Sequence, residues 1–176
     1  TLANTADESI TFTAGNDGDV TVTGVVGNLG TGDILVTNAS TVLFGNSVTA
    51  NNFTQNAGTT LTTFTGLFDL ASNFTFTGNA LTINGAGTND ADGSMTVTNA
   101  LGTFTTSNAS LLDVGTEFVQ NGTGVNVIGD DITSQADGIS FATGVTLFGD
   151  VGEIIIFTSA GGADDDISLS QTLANT

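Results

Sequence analysis

The only ionisable side chains in this 176-residue chain are 18 Asp and Glu; Lys, Arg, His, Cys and Tyr are all missing. Several of the acids are clustered: Asn16-Asp17-Gly18-Asp19, Asn89-Asp90-Ala91-Asp92-Gly93, Asp130-Asp131 and Asp164-Asp165-Asp166. Carboxylates and Asn carbonyls are hard oxygen ligands of the kind Ca²⁺ takes. The spacing makes Asp90 with Asp92 and Asp164 with Asp166 the first candidates for such a site, and Asp17 with Asp19 the next. Neither an EF-hand loop nor a Gly-rich calcium nonapeptide is present. The other reading of the same residues is therefore a set of solvated turns, with Ca²⁺ the one cofactor to consider.

Catalysis has little to work with. Paired carboxylates cleave glycosides in many enzymes, but such clefts rely on Trp and Tyr for the sugar, and neither occurs here. No Ser has a His to activate it, and no Lys is available as a base. The reading is a protein that is not an enzyme. A formal charge of −18 also repels phosphate backbones, which are held by Lys and Arg, and it repels anionic lipid. It attracts cations. No apolar run approaches the roughly 18 residues of a membrane helix, so direct membrane insertion is not expected. The longest run, Ile154-Ile155-Ile156-Phe157, reads as a strand.

High net charge usually signals disorder. Here 39% of residues are hydrophobic and only 10% are charged, so the chain has the means to bury a core. The elements that would position the acids follow from a period of two. Ser9-Ile10-Thr11-Phe12-Thr13, Val20-Thr21-Val22-Thr23, Phe74-Thr75-Phe76-Thr77, Leu81-Thr82-Ile83-Asn84, Ser94-Met95-Thr96-Val97-Thr98 and Ile167-Ser168-Leu169-Ser170 alternate bulky apolar with small polar residues. That is the signal of half-buried strands. Gly, Asn and Asp punctuate them about every 8–12 residues. Essentially no helix is expected.

A sandwich or barrel of this length would show more varied loops, and a propeller would repeat at about 40–50 residues. The architecture that fits is all-β: a single right-handed parallel β-solenoid over 1–176, with roughly 20 residues per coil and about eight coils. Alternation places Ile10, Phe12, Ile34, Val36, Phe64, Phe74, Val97, Phe118, Val125, Val127, Ile154, Ile156, Ile167 and Leu169 among the inward residues, with nearly all twelve Phe. Exposed Phe, at Phe68 or Phe148, would instead favour a binding role. Thr-X-Thr pairs, such as Thr63/Thr65, Thr75/Thr77, Thr96/Thr98 and Thr103/Thr105, raise the question of an ice-binding face. Their offsets along the sequence are irregular, and β propensity accounts for them. Five Asn-X-Ser/Thr sequons, at Asn38, Asn52, Asn73, Asn108 and Asn121, are what an Asn/Thr-rich composition supplies.

Two features speak to assembly. Thr1-Leu2-Ala3-Asn4-Thr5 returns as Thr172-Leu173-Ala174-Asn175-Thr176, an offset of 171 residues, which reads as one period of a longer tandem array. A solenoid also ends in open strand edges, and nothing in the sequence looks like a cap. The stretch ITFTAGNDGDVTVTGVVGNLGTGDILVTNA (10–39), with FTQNAGTTLTTFTG (53–66), ALTINGAG (80–87) and DGISFATGVTLFGDV (137–151), resembles the tandem β-strand repeats of giant bacterial surface proteins, the filamentous-haemagglutinin-like adhesins and autotransporter passengers. The resemblance implies secretion and a β-helical stalk or filament at the cell surface, with identical repeats or subunits head to tail. It carries over no functional residue. The function expected is a structural repeat of an extracellular filament, fibre or stalk. The alternative is a carbohydrate- or surface-binding adhesin module, with calcium-dependent adhesion or ice binding further behind.

Overall fold

The computed structural model describes residues 8–27, 32–151, 153–161 and 165–175. Every regular element among them is a short strand, and the strands fall into rungs. The first rung holds β1 (Ile10–Thr13) and β2 (Val20–Val22); the second holds β3 (Ile34–Asn38), β4 (Thr41–Phe44) and β5 (Val48–Ala50). The third holds β6 (Phe53–Gln55), β7 (Leu61–Phe64) and β8 (Phe68–Leu70), and the fourth β9 (Phe74–Gly78), β10 (Ala80–Ile83) and β11 (Gly87–Ala91). The fifth holds β12 (Met95–Asn99), β13 (Phe104–Thr106) and β14 (Ser110–Val114), and the sixth β15 (Phe118–Gln120), β16 (Asn126–Ile128) and β17 (Ile132–Ser134). The seventh holds β18 (Ile139–Phe141), β19 (Val145–Leu147) and β20 (Phe157–Ser159), and the eighth β21 (Ile167–Leu169) and β22 (Leu173–Asn175).

Successive rungs stack in parallel register on three faces. Face one is an eight-stranded sheet from β1 to β21, face two an eight-stranded sheet from β2 to β22, and face three a six-stranded sheet from β5 to β20. An isolated parallel bridge between Val26 and Val48 carries face three into the first rung. The chain is a β-solenoid of about seven turns with a partial eighth rung, close to the coil count the sequence implies. At about 4.8 Å per rung the ladder from first to last rung is roughly 34 Å tall.

The alternating pattern drives this arrangement because side chains on a strand point to opposite faces. Phe53, Phe74 and Met95 stack in register, 21 residues apart, and all three are fully buried. Phe44 stacks on Phe64 at 5.0 Å and Phe53 on Phe74 at 5.0 Å, with Phe64 edge-on to Phe53 at 5.1 Å. Such pairs add about 0.5–1.5 kcal/mol each beyond the area they bury. Tight corners join the faces. A Cβ on Gly115 would lie 1.9 Å from the Asp92 carbonyl oxygen, so only glycine fits under the neighbouring rung there.

The inward set departs from the simple alternation in three places. Val125 is 55% exposed and Val127 points outward; the inward positions of β16 are Asn126 and Ile128. The register is displaced by one because Asn126 reaches into a buried amide network described below. In the second place, Ile154 and Ile156 are 78% and 50% exposed, Ile155 packs on the core, and the strand begins only at Phe157. The register partners Ile139 and Ile167 lie 28 residues apart there, so the longer rung bulges out of the ladder before rejoining it. In the third, Ile167 is 45% exposed on β21, the outermost strand of face one among the described residues.

Candidate functional site

The acidic residues divide by face. Among the strands of faces one and two there is no Asp or Glu, whereas face three carries Asp69, Asp90 and Asp113 in direct register on β8, β11 and β14. Rungs about 4.8 Å apart place three carboxylates in one outward column. Burial pushes the Asp90 carboxyl above the usual carboxylate range, and the charges of Asp92, Asp113 and Asp69 push it further. The Asp113 Oδ1 accepts a hydrogen bond from Gln135 Nε2 at 2.8 Å. The structure thus brings Asp90 and Asp92 together, and adds two partners that linear clustering does not show. The signal for Asp69 and Asp113 was their outward place in FDL and SLLDV, two strands of face three.

The other acidic candidates are dispersed. Asp19 Oδ1 accepts from the backbone N–H of Thr41 at 3.2 Å and from the Thr41 hydroxyl, tying the first rung to the second, while Asp17 is exposed in the turn before it. Asp130 Oδ1 accepts from the Asp131 N–H at 2.8 Å, and Asp131 Oδ1 from the Ile156 N–H at 2.6 Å. Asp164 lies outside the described residues. Asp166 lines a shallow cavity of about 300 Å³ with Glu117 and Asp137. Among the described residues no group of three or more acidic side chains is set to hold a metal ion.

Polar chemistry also runs through the interior. Gln120 Nε2 donates to Asn99 Oδ1 at 2.7 Å and to the Gly122 carbonyl at 3.1 Å. Its Oε1 accepts from Ala142 N–H at 3.1 Å, from the Thr143 hydroxyl at 3.2 Å and from Asn126 Nδ2 at 3.3 Å. Asn99, Gln120 and Asn126 are essentially inaccessible to solvent. A smaller counterpart sits lower in the ladder, where the Thr62 hydroxyl donates to Gln55 Oε1 at 2.8 Å. Both glutamines occupy an inward position in the alternations Phe53-Thr54-Gln55 and Phe118-Val119-Gln120, which is how the sequence could have shown them.

The corner before face one carries a polar column. Asp33 Oδ1 accepts from Asn52 Nδ2 at 2.8 Å, Asn52 Oδ1 from the Asn73 N–H at 3.0 Å, and Asn73 Oδ1 from the Ser94 N–H at 2.9 Å. The side chains of the sequons Asn52 and Asn73 are therefore engaged between rungs. The Thr pairs divide between faces: Thr75/Thr77 and Thr96/Thr98 are register partners on face one, while Thr63, Thr82 and Thr105 align on face two. Their irregular sequence offsets came from mixing two faces, and the paired array spans two adjacent rungs.

The chain matches no family model, no curated protein and no solved structure. Its function must therefore be read from the three ladders and their ends. At the C-terminal end Phe148 is 55% exposed, whereas Phe68 is buried, and a cavity of about 420 Å³ is lined by Leu147, Gly149, Asp150, Val151, Glu153, Ile154, Ile155 and Asn175. Val151, Ile154, Ile167 and Leu173 are also exposed. No helix among the described residues is long and apolar enough to cross a membrane.

Proposed function

We propose that this chain is a structural segment of an extracellular filament, fibre or adhesin stalk, built by solenoid units that stack end to end. The observation that supports this reading is the set of parallel ladders, whose outermost strands among the described residues are β1 and β2 on one side and β21 and β22 on the other. A parallel ladder has the same polarity at every rung. Its two ends are complementary to one another and neither is complementary to itself. An interface of that kind is heterologous and propagates. The resemblance to repeats of bacterial surface proteins points to the cell surface as the place. Electron microscopy of native material, with antibody raised to this chain, is the test. Labelled rods of uniform width projecting from cells are expected; label confined to the cell interior or to compact particles overturns the reading.

The exposed Phe148, beside the cavity between β19 and β20, favours a second reading, an adhesin module that grips carbohydrate or another surface. Binding of glycans lost on Phe148→Ser would select it over a purely structural role.

A further inference from the structure

The flanks of the ladder differ in charge and in exposed apolar surface. Between Ile34 and Gly129 the acids are Asp69, Asp90, Asp92, Asp113 and Glu117. Asp69, Asp90 and Asp113 lie on face three, and Asp92 and Glu117 lie in the corner that leads from it into face one. Over that stretch face two, and the corner between faces one and two, carry no acid. The exposed large apolar side chains of the same stretch are Leu61, Leu101 and Val125, at 37%, 86% and 55%. Leu61 opens β7, Val125 immediately precedes β16, and Leu101 stands in the corner ahead of β13. All three therefore fall on face two or at its leading edge. Beside them the central outward column of face two runs Leu43, Thr63, Thr82, Thr105 and Val127 in register, uncharged throughout.

We infer that face two is a lateral docking surface for face two of a second copy, side by side rather than end to end. An exposed apolar patch rimmed by polar residues marks an interaction surface. The placement of charge selects the occupant. A partner bearing Lys or Arg would be drawn to the aspartates of face three. A second copy carries −18 of its own and no cation to answer an acid, so it can approach closely only where both surfaces lack one. Face two is such a surface, and interface cores are likewise depleted of charge and rich in apolar side chains. A glycan fits it less well, since Trp and Tyr are missing from the chain and the three exposed side chains are aliphatic.

The pairing sets the same patch of both copies together, so it closes as a dimer. Rungs two to six at about 4.8 Å each, and a strand width of about 13–17 Å, give each copy roughly 350 Å² of contact, less than half of the ~800 Å² per partner of a stable complex. One pair of chains is therefore weakly held, with a Kd of about 0.1–1 mM. Along a rod of many units such contacts would add. The pairing uses the flank of the ladder and does not depend on how its ends are joined. Salt screens the remaining repulsion beyond about 10 Å at 0.1 M, so association should strengthen as salt is added.

Sedimentation equilibrium of the whole chain in about 0.5 M salt, at concentrations up to about 1 mM, is the test. Dimers are expected, and Leu101→Asp and Val125→Asp should each lower the association constant by about tenfold or more, since each sets like charges against one another across the pair. Both side chains are exposed, so neither change removes core packing. Thr75→Asp, in the middle of face one, adds the same charge away from the patch and should lower the constant by less than about twofold. A chain that stays monomeric throughout overturns the inference. So does association that Thr75→Asp weakens as much as Val125→Asp, or that neither face-two variant changes. A monomeric chain that binds a neutral polysaccharide, and loses it on Val125→Asp, would also overturn it and give the surface to a glycan. Single rods on cells alongside a monomeric chain would overturn the lateral pairing and leave the stalk reading standing. Dimers through face two, with label confined to the cell interior, would do the reverse.

Discussion

Rungs three to five and rungs seven and eight use the same alternating pattern and reach opposite outcomes. In the first region Phe53, Phe64, Phe68 and Phe74 form a continuous stack with ring centroids 5.0–5.6 Å apart, and none is more than 1% exposed. In the second, Ile154, Ile156, Ile167 and Leu173 are at least 45% exposed. The side chains are no less apolar. A solenoid residue is buried by the rungs above and below it, so local pattern supplies the orientation and the neighbours supply the energy. Stability should accordingly be concentrated in the middle and fade toward the C-terminal end.

The sharpest way to break this contrast is to cut a cavity in each region. Phe64→Ala should cost about 3–5 kcal/mol, because Phe64 touches Phe44, Phe53, Phe68 and Phe74 at once. In a chain of this length that is a fall in Tm of roughly 6–20 °C. Leu173→Ala should cost less than about 1 kcal/mol, since half of the side chain is already in water. Thermal melts of the two variants, with amide exchange to show which rungs open first, measure the contrast. Equal losses would mean that the end rungs are as well packed as the middle ones.

The two buried glutamines sharpen it at the level of hydrogen bonds. Gln120 satisfies partners on both of its amide atoms, whereas Gln55 Nε2 has no hydrogen-bond partner among the described residues. Removing a partner leaves each buried group it held unsatisfied, at a cost of about 1–3 kcal/mol each. Gln120→Leu strands Asn99 Oδ1 and weakens the hold on Asn126 and Thr143, so a loss of several kcal/mol is expected. Gln55→Leu strands only the Thr62 hydroxyl and also removes an unsatisfied donor, so its change should stay within about 1 kcal/mol. Denaturant midpoints at matched m-values decide this, and a larger loss for Gln55→Leu would sink it.

A smaller effect follows from the face-three aspartates. The folded-state pKa of Asp90 is raised above its unfolded value, so the charged carboxylate opposes folding at neutral pH. Stability from this group increases as the pH falls through the raised value and is fully gained below the ordinary carboxylate range. It is absent above the raised value. Asp90→Asn should therefore raise Tm at pH 7 by no more than about 4 °C, the side chain being mostly solvated, and should flatten the acid limb of the stability curve. A variant less stable than the parent at pH 7 would show that the carboxylate contributes something favourable there.

What the sequence made legible follows from the same physics. A period of two over Ser94–Thr98 can only place Met95 and Val97 on one side, and both are buried as expected. The number of residues between Phe53, Phe74 and Met95 is also visible, and it gives the rung. Register between distant rungs is not a local property. Asp69, Asp90 and Asp113 sit about a rung apart along the chain, and only the ladder shows that they share one column. Asn126 was unreadable for a related reason. Val125 and Val127 outweigh it on hydrophobicity, but only Asn126 can answer Gln120 and the Gly144 carbonyl, at 3.3 and 3.2 Å, from the inward side. The repeated ends were legible as sequence only, since Thr1–Thr5 and Thr176 lie outside the described residues.

The smallest effect expected concerns divalent cations, and it separates screening from ligation on the acidic column. With −18 on the chain and no cationic partner, monovalent salt should raise Tm by relieving repulsion among exposed carboxylates. That effect depends on ionic strength alone. A coordinated Ca²⁺ depends on a specific oxygen cage of roughly six to eight ligands, which Asp90 and Asp92 with Asp69 and Asp113 one rung away do not by themselves complete. Chelator added at constant ionic strength should therefore leave Tm unchanged to within about 1 °C, which on the scale of a chain this size is under about half a kcal/mol. Paired melts with chelator and with Ca²⁺, on the parent and on Asp90→Asn, make the measurement. Should chelation lower Tm by several degrees in the parent only, and Ca²⁺ well below the screening concentration restore it, face three would hold a cation and its aspartates would be ligands. If the two proteins respond alike, the column is a solvated one whose repulsion the ladders simply overcome.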